Sequence, residues 1–197
     1  MKHLKFHSII ILALLFAGAT SSSCQNTPKS QPRPISDKLI ERPNLSNSLD
    51  SFLRPIGYVS DYENLYTQSE VYTLDSLLHS FEKEMKLQVV LVTLDSSLAS
   101  SSEFDKVIEI LGNGWKVGGD SSFGIIVGIS ASNKRIQIEN GYKARPFISD
   151  DETQNIIANN FIPDFKNAKF FEGTFSGISA LLQLLNINLE KKTKVTF

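Results

Sequence analysis

Residues 87–94 read LQVVLVTL, and residues 123–129 read FGIIVGI. Both runs are short, rich in β-branched residues and almost entirely apolar, which is typical of strands buried on both faces of a parallel sheet. Residues 135–139 (RIQIE) follow a turn and alternate apolar with polar side chains, which predicts an antiparallel neighbour with one more polar face. Together the three segments predict a small mixed sheet.

Helices are predicted before, between and after these strands. Three capping boxes, in which a hydroxyl residue precedes a glutamate by three positions, begin at Thr67, Ser100 and Ser149. Apolar side chains recur at helical spacing after each of them, and a last helix is predicted to begin at Pro163. The predicted order is α-β-α-β-β-α-α, and the fold class is α/β, a three-layer α/β/α sandwich with a small mixed sheet.

The first residues predict a targeting segment. Lys2 and Lys5 precede an apolar run at residues 8–18 (SIIILALLFAG), which has the size of a secretory signal and is too short to cross a bilayer. Small residues then lead to Cys24, the single cysteine of the sequence, as in a bacterial lipoprotein signal peptide. We predict that residues 1–23 are removed and that Cys24 is acylated, for example with palmitate. An ordinary signal peptide with a coincidental cysteine is the alternative.

The rest of the chain is predicted to contain one domain between two polar segments. Residues 24–55 contain five of the seven prolines among many polar residues, which predicts a flexible tether. Residues 56–187 hold the predicted sheet and helices, and residues 188–197 are predicted to be a charged tail. A lipid on Cys24 would hold the domain on a membrane of the bacterial cell envelope, outside the cytoplasm, without a spanning helix.

Composition excludes several classes of function. The formal net charge is −1 at pH 7 without clustered basic residues, so nucleic-acid binding is not expected. A single cysteine allows neither an intrachain disulfide nor a cysteine-cluster zinc site. After removal of the leader His79 is the remaining histidine, and the sequence has no nucleophile elbow, P-loop or Rossmann glycine motif.

Carboxylates are therefore the main candidates for site chemistry. A right-handed crossover between two parallel strands places Asp120, Glu139 and Asp150 at one end of the sheet, together with Trp115 and the loop 141–150. Three acids that meet there would offer oxygen ligands to Ca²⁺ or Mg²⁺. The predicted metal site consists of these three residues.

Other acids are expected to have structural roles or to lie elsewhere. Asp61 and Asp95 are expected at the opposite end of the sheet. Asp150 and Asp151 also have a structural interpretation, because acids in the first turn of a helix stabilise its dipole.

Several short motifs lie in order along residues 57–185. They are GYVSDY at 57–62, WKVG at 115–118, RIQIENGY at 135–142 followed by Asp150, IPDF at 162–165, and Gly173. Their order and spacing resemble the TPM-domain family, which includes thylakoid lumen, bacterial secreted and nematode membrane proteins. The resemblance implies an α/β/α fold and a location outside the cytoplasm. It also implies acid phosphatase activity as in some members, divalent-metal binding as in others, or partnership with a complex or receptor.

The sequence departs from the family pattern where a site is expected. Before the second strand the family often has Asp-Asn-Gly or Asn-Asn-Gly, whereas residues 122–124 here are SFG and Asp120 is displaced. The family motif Gly-Tyr-Gly-x-Glu is GYKAR at residues 141–145, so a base replaces an acid. The predicted loop contacts are Trp115, Tyr142, Lys143 and Arg145. Their two basic groups either contact a phosphate or a partner's carboxylate or lie in solvent.

Two functions follow as hypotheses. The first is a membrane-tethered binding or scaffold module for an envelope protein. The second is a divalent-metal-dependent acid phosphatase in which Asp120, Glu139 and Asp150 hold the cation. The first is favoured, because the family's acids are partly lost and the sequence offers no nucleophile.

Overall fold

The described part of the chain forms a four-stranded mixed sheet. The computed structural model describes residues 53–121 and 123–195. The strands β1 (Val59–Asp61), β2 (Gln88–Thr93), β3 (Gly124–Ser130) and β4 (Arg135–Asn140) lie side by side in that order. The first three are parallel, and β4 is antiparallel to β3. The predicted small mixed sheet is confirmed.

Helices cover both faces of this sheet. They are α1 (Gln68–Met85), α2 (Phe104–Gly114), α3 (Asp150–Ile156), α4 (Ile162–Phe165) and α5 (Phe170–Val195), with a π-helical turn, Ile157–Phe161, between α3 and α4. Alternate strand side chains enter two apolar cores: Leu91 and Val127 pack with α1 and α5, whereas Val92 and Ile126 pack with α2. The predicted three-layer α/β/α sandwich is therefore confirmed.

The predicted element order lacks β1 and one C-terminal helix, and the described order is β-α-β-α-β-β-α-α-α. Three residues are too few to show an alternating pattern, which is the signal for a strand in a sequence. Asp61 ends this strand, and its carboxylate accepts the N–H groups of Leu65 and Tyr66 at 3.1 and 3.0 Å. These bonds turn the chain from β1 towards α1.

Two of the three predicted capping boxes are confirmed. Thr67 and Glu70 bond reciprocally at the start of α1, and Ser149 and Glu152 do so at the start of α3. At the third position the Ser100 hydroxyl donates to the Glu103 carboxylate at 2.6 Å, but Glu103 makes no side-chain cap bond to α2. The two side chains are thus hydrogen-bonded to each other, and α2 begins only after them.

The N-terminal boundary of the domain differs from the prediction. Leu53 is buried on the α2 side of the sheet, and its carbonyl accepts the indole N–H of Trp115 at 2.7 Å. Residues 53–55, predicted as tether, therefore belong to the folded domain. The predicted signal peptide, Cys24 and the rest of the tether lie outside the described residues. None of the described helices is long and apolar enough to span a membrane.

The C-terminal helical region differs from the prediction in two respects. The helix predicted from Pro163 is divided, because α4 ends at Phe165 and Ala168 has a positive φ of 56° before α5 begins. α5 then continues to Val195, through residues assigned to a charged tail. Asn188 Nδ2 donates to the Phe147 carbonyl at 2.9 Å, so this extension is held against the domain.

The connection from α2 to β3 depends on a close approach of backbones. The Gly118 N–H donates to Gln88 Oε1 at 2.7 Å, and a Cβ at Gly118 would lie 2.3 Å from backbone atoms of Phe123 and Gly124. Both Gly118 and its neighbour Gly119 have positive φ, of 82° and 63°. A Cβ at Gly119 would meet no described atom within 4 Å. Of these two glycines, only Gly118 combines a left-handed backbone with a lack of space for a Cβ atom.

Gly118→Ala is expected to lower the free energy of unfolding by about 2–5 kcal/mol, because left-handed strain and overpacking add. Gly119→Ala is the matched control and should lose only the left-handed term, about 1–2 kcal/mol. Urea unfolding of both variants measures the difference. Equal losses would show that the contact with the Phe123–Gly124 backbone does not restrict position 118.

Candidate functional site

A polar cleft of about 400 Å³ lies at the end of the sheet where β3 begins and β4 ends. Its walls come from the end of α2, the α2–β3 connection and the loop after β4. The charged and aromatic side chains that line it are Glu109, Lys116, Asp120, Glu139, Tyr142 and Arg145. The structure thus places Asp120 and Glu139 in one cleft, as the predicted topology requires.

Glu139 is the half-buried acid of this polar cleft. Its Oε1 lies 3.7 Å from Arg145 Nη2, and Arg145 Nε donates to the Asn140 carbonyl at 3.3 Å. Burial raises the pKa of the Glu139 carboxyl, while the positive charge of Arg145 opposes that rise. The Arg145 side chain is 65% exposed, so solvent screens the ion pair. Glu139 is a partly desolvated acid with a cation already beside it.

Asp150 lies outside the polar cleft. It begins α3 and lines a second cleft of about 630 Å³, the α3 cleft, which also includes Glu139 and Arg145. The Asp150 carbonyl accepts a bond from Thr153 Oγ1 at 2.7 Å. Acids occupy residues 150–152, the first turn of α3, where negative charge stabilises the helix dipole. This position agrees with the structural interpretation of Asp150.

The three predicted metal ligands are therefore divided between two clefts. In the described ranges, no group of three or more histidine, cysteine, aspartate or glutamate side chains could hold a metal ion. Glu139, which borders both clefts, is paired with Arg145. As placed, these residues do not fit a Ca²⁺ or Mg²⁺ site, which needs several oxygen ligands around one point.

The loop after β4 also forms an apolar surface beside the polar cleft, which we call the aromatic depression. It has a volume of about 500 Å³ and is lined by Phe123, Tyr142, Lys143, Arg145, Pro146 and Phe147. The rings of Phe123 and Phe147 are 5.6 Å apart, and Lys192 Nζ lies 4.5 Å from the Phe147 ring centroid. Tyr142 is 78% exposed. Three of the four predicted loop contacts thus share one aromatic surface with a basic rim.

Trp115, the fourth predicted loop contact, has a different role. Its indole N–H bonds to the Leu53 carbonyl, and its ring packs with the core on the α2 side. It therefore holds the N-terminal segment and is not among the lining residues of the polar cleft or the aromatic depression. Trp115 lies at the predicted end of the sheet, but its side chain faces the core on the α2 side and not the loop surface.

The acids expected at the opposite end of the sheet support loops. Asp61 holds the turn into α1, as described above. Asp95 Oδ1 accepts bonds from the Ser97 hydroxyl and from the N–H groups of Ser97 and Leu98. These hydrogen bonds lower the pKa of the Asp95 carboxyl, and the bond from the Ser97 hydroxyl has the largest effect.

Sequence reasoning missed three residues of these surfaces: Phe123, Phe147 and Asn140. Phe147 lies beside Pro146 in a loop with two basic residues, and this composition is a signal for an exposed aromatic contact. The apolar run 123–129 predicts a buried strand that includes Phe123, whereas β3 begins after it. Asn140 is 5% exposed and its Oδ1 bonds to no described group. Nothing in the sequence distinguishes it from a surface asparagine.

Arg145→Gln is expected to raise the pKa of Glu139 further, because burial then acts without the opposing charge. An acid with a raised folded-state pKa costs stability as the pH rises through its titration range, and the cost is absent below that range. The variant should therefore lose more stability relative to the parent at neutral pH than at acid pH, where only the loss of the bond to the Asn140 carbonyl remains. Carbon-detected NMR of the Glu139 carboxyl and urea unfolding at both pH values measure this.

Lys143→Gln is the control, because it removes a positive charge from the same loop without removing the ion pair. An unchanged Glu139 titration in Arg145→Gln, or an equal shift in Lys143→Gln, would contradict the assignment of Arg145 as the compensating charge.

Comparisons with known proteins identify the family of this fold. The family model of the TPM domain matches residues 59–184. No curated protein matches the chain. The solution NMR structure of the N-terminal domain of a protein from P. gingivalis is 22% identical, with a TM-score of 0.61, and covers 68% of this chain and 84% of that one. The NMR structure of the N-terminal domain of the cg2496 protein from Corynebacterium glutamicum is 9% identical, with a TM-score of 0.51, over 65% and 79% of the two chains.

At these identities the two structures share the fold alone with this protein. The family match is independent of them and covers more than half of the chain, including all four strands and most of the described helices. The chain belongs to the TPM domain family.

Proposed function

We propose that this TPM domain is a binding module for a protein of the bacterial cell envelope, with the aromatic depression as its contact surface. The observation that carries the proposal is Tyr142, which is 78% exposed beside the apolar wall of Phe123, Pro146 and Phe147. Exposed tyrosines next to an apolar pocket are the usual anchors of protein interfaces. They contribute large contact area with little loss of conformational entropy.

The charges around the depression specify the kind of partner. Lys143 and Arg145 lie on its rim, and Lys192 is stacked over Phe147. These cations favour a partner that presents an apolar or aromatic group flanked by carboxylates. The Phe123–Phe147 ring pair is packed before binding, so little reorganisation is needed.

Membrane attachment supports this function. We propose that Cys24 carries the lipid and that the residues between it and Leu53 form the tether. A flexible tether of about 30 residues has a root-mean-square length of about 30 Å. It would keep the domain within reach of neighbouring membrane proteins and raise their effective concentration. Modest affinity at the aromatic depression would then suffice.

A divalent-metal-dependent acid phosphatase is the second candidate. The shared location of Asp120 and Glu139 in the polar cleft, beside Lys116, favours it. The ion pair between Glu139 and Arg145 and the separate position of Asp150 argue against it. His79 gives it no support either, since it lies in another cleft with Tyr58 and Glu82.

The binding function predicts that capture of a partner depends on Tyr142. Full-length chain with a C-terminal tag is crosslinked in native membranes, and the captured proteins are quantified. Tyr142→Ser is expected to lower recovery of the partner by about tenfold or more, a loss of at least about 1.4 kcal/mol. Tyr72→Ser is the matched control, because Tyr72 lies on α1 and is 73% exposed. Equal recovery with both variants would contradict the proposed surface.

The two candidate functions differ in their response to divalent metal. On the binding hypothesis, millimolar Ca²⁺ or Mg²⁺ leaves the amide NMR signals of the polar cleft unchanged. Saturable shifts centred on Asp120 and Glu139, lost in an Asp120→Asn variant that remains folded, would instead favour the metal-dependent phosphatase.

A further inference from the structure

The outer edge of β4 exposes backbone groups that can pair with another strand. Gly141 N–H donates to Gly124 O at 2.9 Å, directly across the β3–β4 ladder. In an antiparallel pair, residues that bond across the ladder alternate with residues that face away. The N–H and C=O groups of Ile136 and Ile138 therefore face outward, and neither residue's backbone bonds to another described group on that side.

The opposite edge of the sheet is protected. β1 has only three residues, and the N–H of Val59 donates to Asp75 Oδ1 at 3.1 Å. Short strands and side-chain caps are common ways of preventing strand addition at an edge. β4 is twice as long, with six residues, and bears one side-chain cap, the bond from Arg145 Nε to the Asn140 carbonyl at its end.

A continuous groove runs along this open edge, which we call the β4 groove. One part is the α3 cleft. The other is a cleft of about 690 Å³ between β4 and the helices, lined on the helix side by Ile157, Ile162 and Phe165. Gln137 and Gln154 line both clefts, so the two meet there. A groove between an edge strand and a helix is the geometry in which extended peptides bind by strand addition.

Charged and polar groups distinguish the two ends of the groove. Lys134 and Lys166 line the end near α4, and neither forms an ion pair with a described residue. Arg135 lies there too but is paired with Asp105 at 2.6 Å. At the other end Asn140 is 5% exposed, and its Oδ1 has no described partner.

We propose that the β4 groove binds an extended segment of a partner protein as a fifth strand, a claim that rests on the proposed binding function. The segment pairs with the outward groups of Ile136 and Ile138, places apolar side chains against Ile157 and Phe165, and carries an acidic residue towards Lys134 and Lys166. Because Arg145 borders both the groove and the aromatic depression, one partner can contact the two surfaces together.

The test uses peptides that can form strands. Random peptides of about ten residues, long enough for a strand and its flanks, are displayed on phage and selected on the purified chain. The expected binders alternate apolar and polar residues and carry acid at one end. When bound, they should protect the amides of Ile136 and Ile138 from hydrogen exchange.

Matched variants locate the binding. Gln154→Trp fills the point where the two clefts meet and should weaken the selected peptides by about tenfold or more. Asn155→Trp, on the next residue of α3 and exposed, should leave their affinity unchanged. Lys166→Glu should weaken acidic peptides, whereas Lys169→Glu, outside the groove lining, should not.

Several results would overturn the proposal. The first is that no binders are selected whose affinity Gln154→Trp weakens. The second is that the selected binders protect amides other than those of Ile136 and Ile138. Protection of Ile136 and Ile138 before any peptide is added would show that the chain itself or a second copy already fills the groove. Capture of the membrane partner that depends on Tyr142 but is unaffected by Gln154→Trp would reject strand addition and retain the binding function. Loss of the Tyr142 dependence with intact peptide binding would reject the aromatic depression alone.

Discussion

The two central strands, β2 and β3, are covered by helices on both faces, and the other features of the domain depend on this burial. Leu91 and Val127 pair in register and are fully buried under α1 and α5, and Val92 is fully buried on the α2 side. Each such side chain contributes about 1.5–3 kcal/mol on burial. With both faces occupied, neither strand can carry a functional group along its length. Polar chemistry is therefore restricted to the strand ends, the connecting loops and the sheet edges.

The polarity of the strands then decides which loops meet. Because β2 and β3 are parallel, α2 must return along the sheet, and its end reaches the start of β3. Since β4 is antiparallel, its last residues arrive at the same end. Asp120, Glu139 and the loop with Tyr142 and Arg145 are thereby collected into one surface. The acids at the opposite end, Asp61 and Asp95, are occupied by hydrogen bonds that shape turns.

Arg145 connects the surfaces at the functional end. It compensates the half-buried Glu139, caps the last carbonyl of β4, and lies on the rims of the aromatic depression and the α3 cleft. The positive charge of Arg145 would compete with a metal ion for the Glu139 carboxylate. It turns a potential metal ligand into one half of an ion pair. The same base is suited to the carboxylate of a protein partner. This single position thus bears on the choice between a metal site and a binding surface.

The amino-acid sequence by itself determined the layers, the strand types and the end of the sheet at which polar residues gather. Apolar runs such as 87–94 and 123–129 carry that information locally, because burial on two faces allows few other residues. The three-residue β1, the docking of Leu53 on Trp115 and the extension of α5 to Val195 were decided by tertiary contacts that leave no periodic signal. The same holds for the site. That Asp150 lies in a different cleft from Asp120, that Arg145 lies beside Glu139 and that Asn140 is buried depend on distances of a few ångströms between loops. Such distances are set by packing across the whole domain, whereas the pattern along the chain reports only which face of an element is buried.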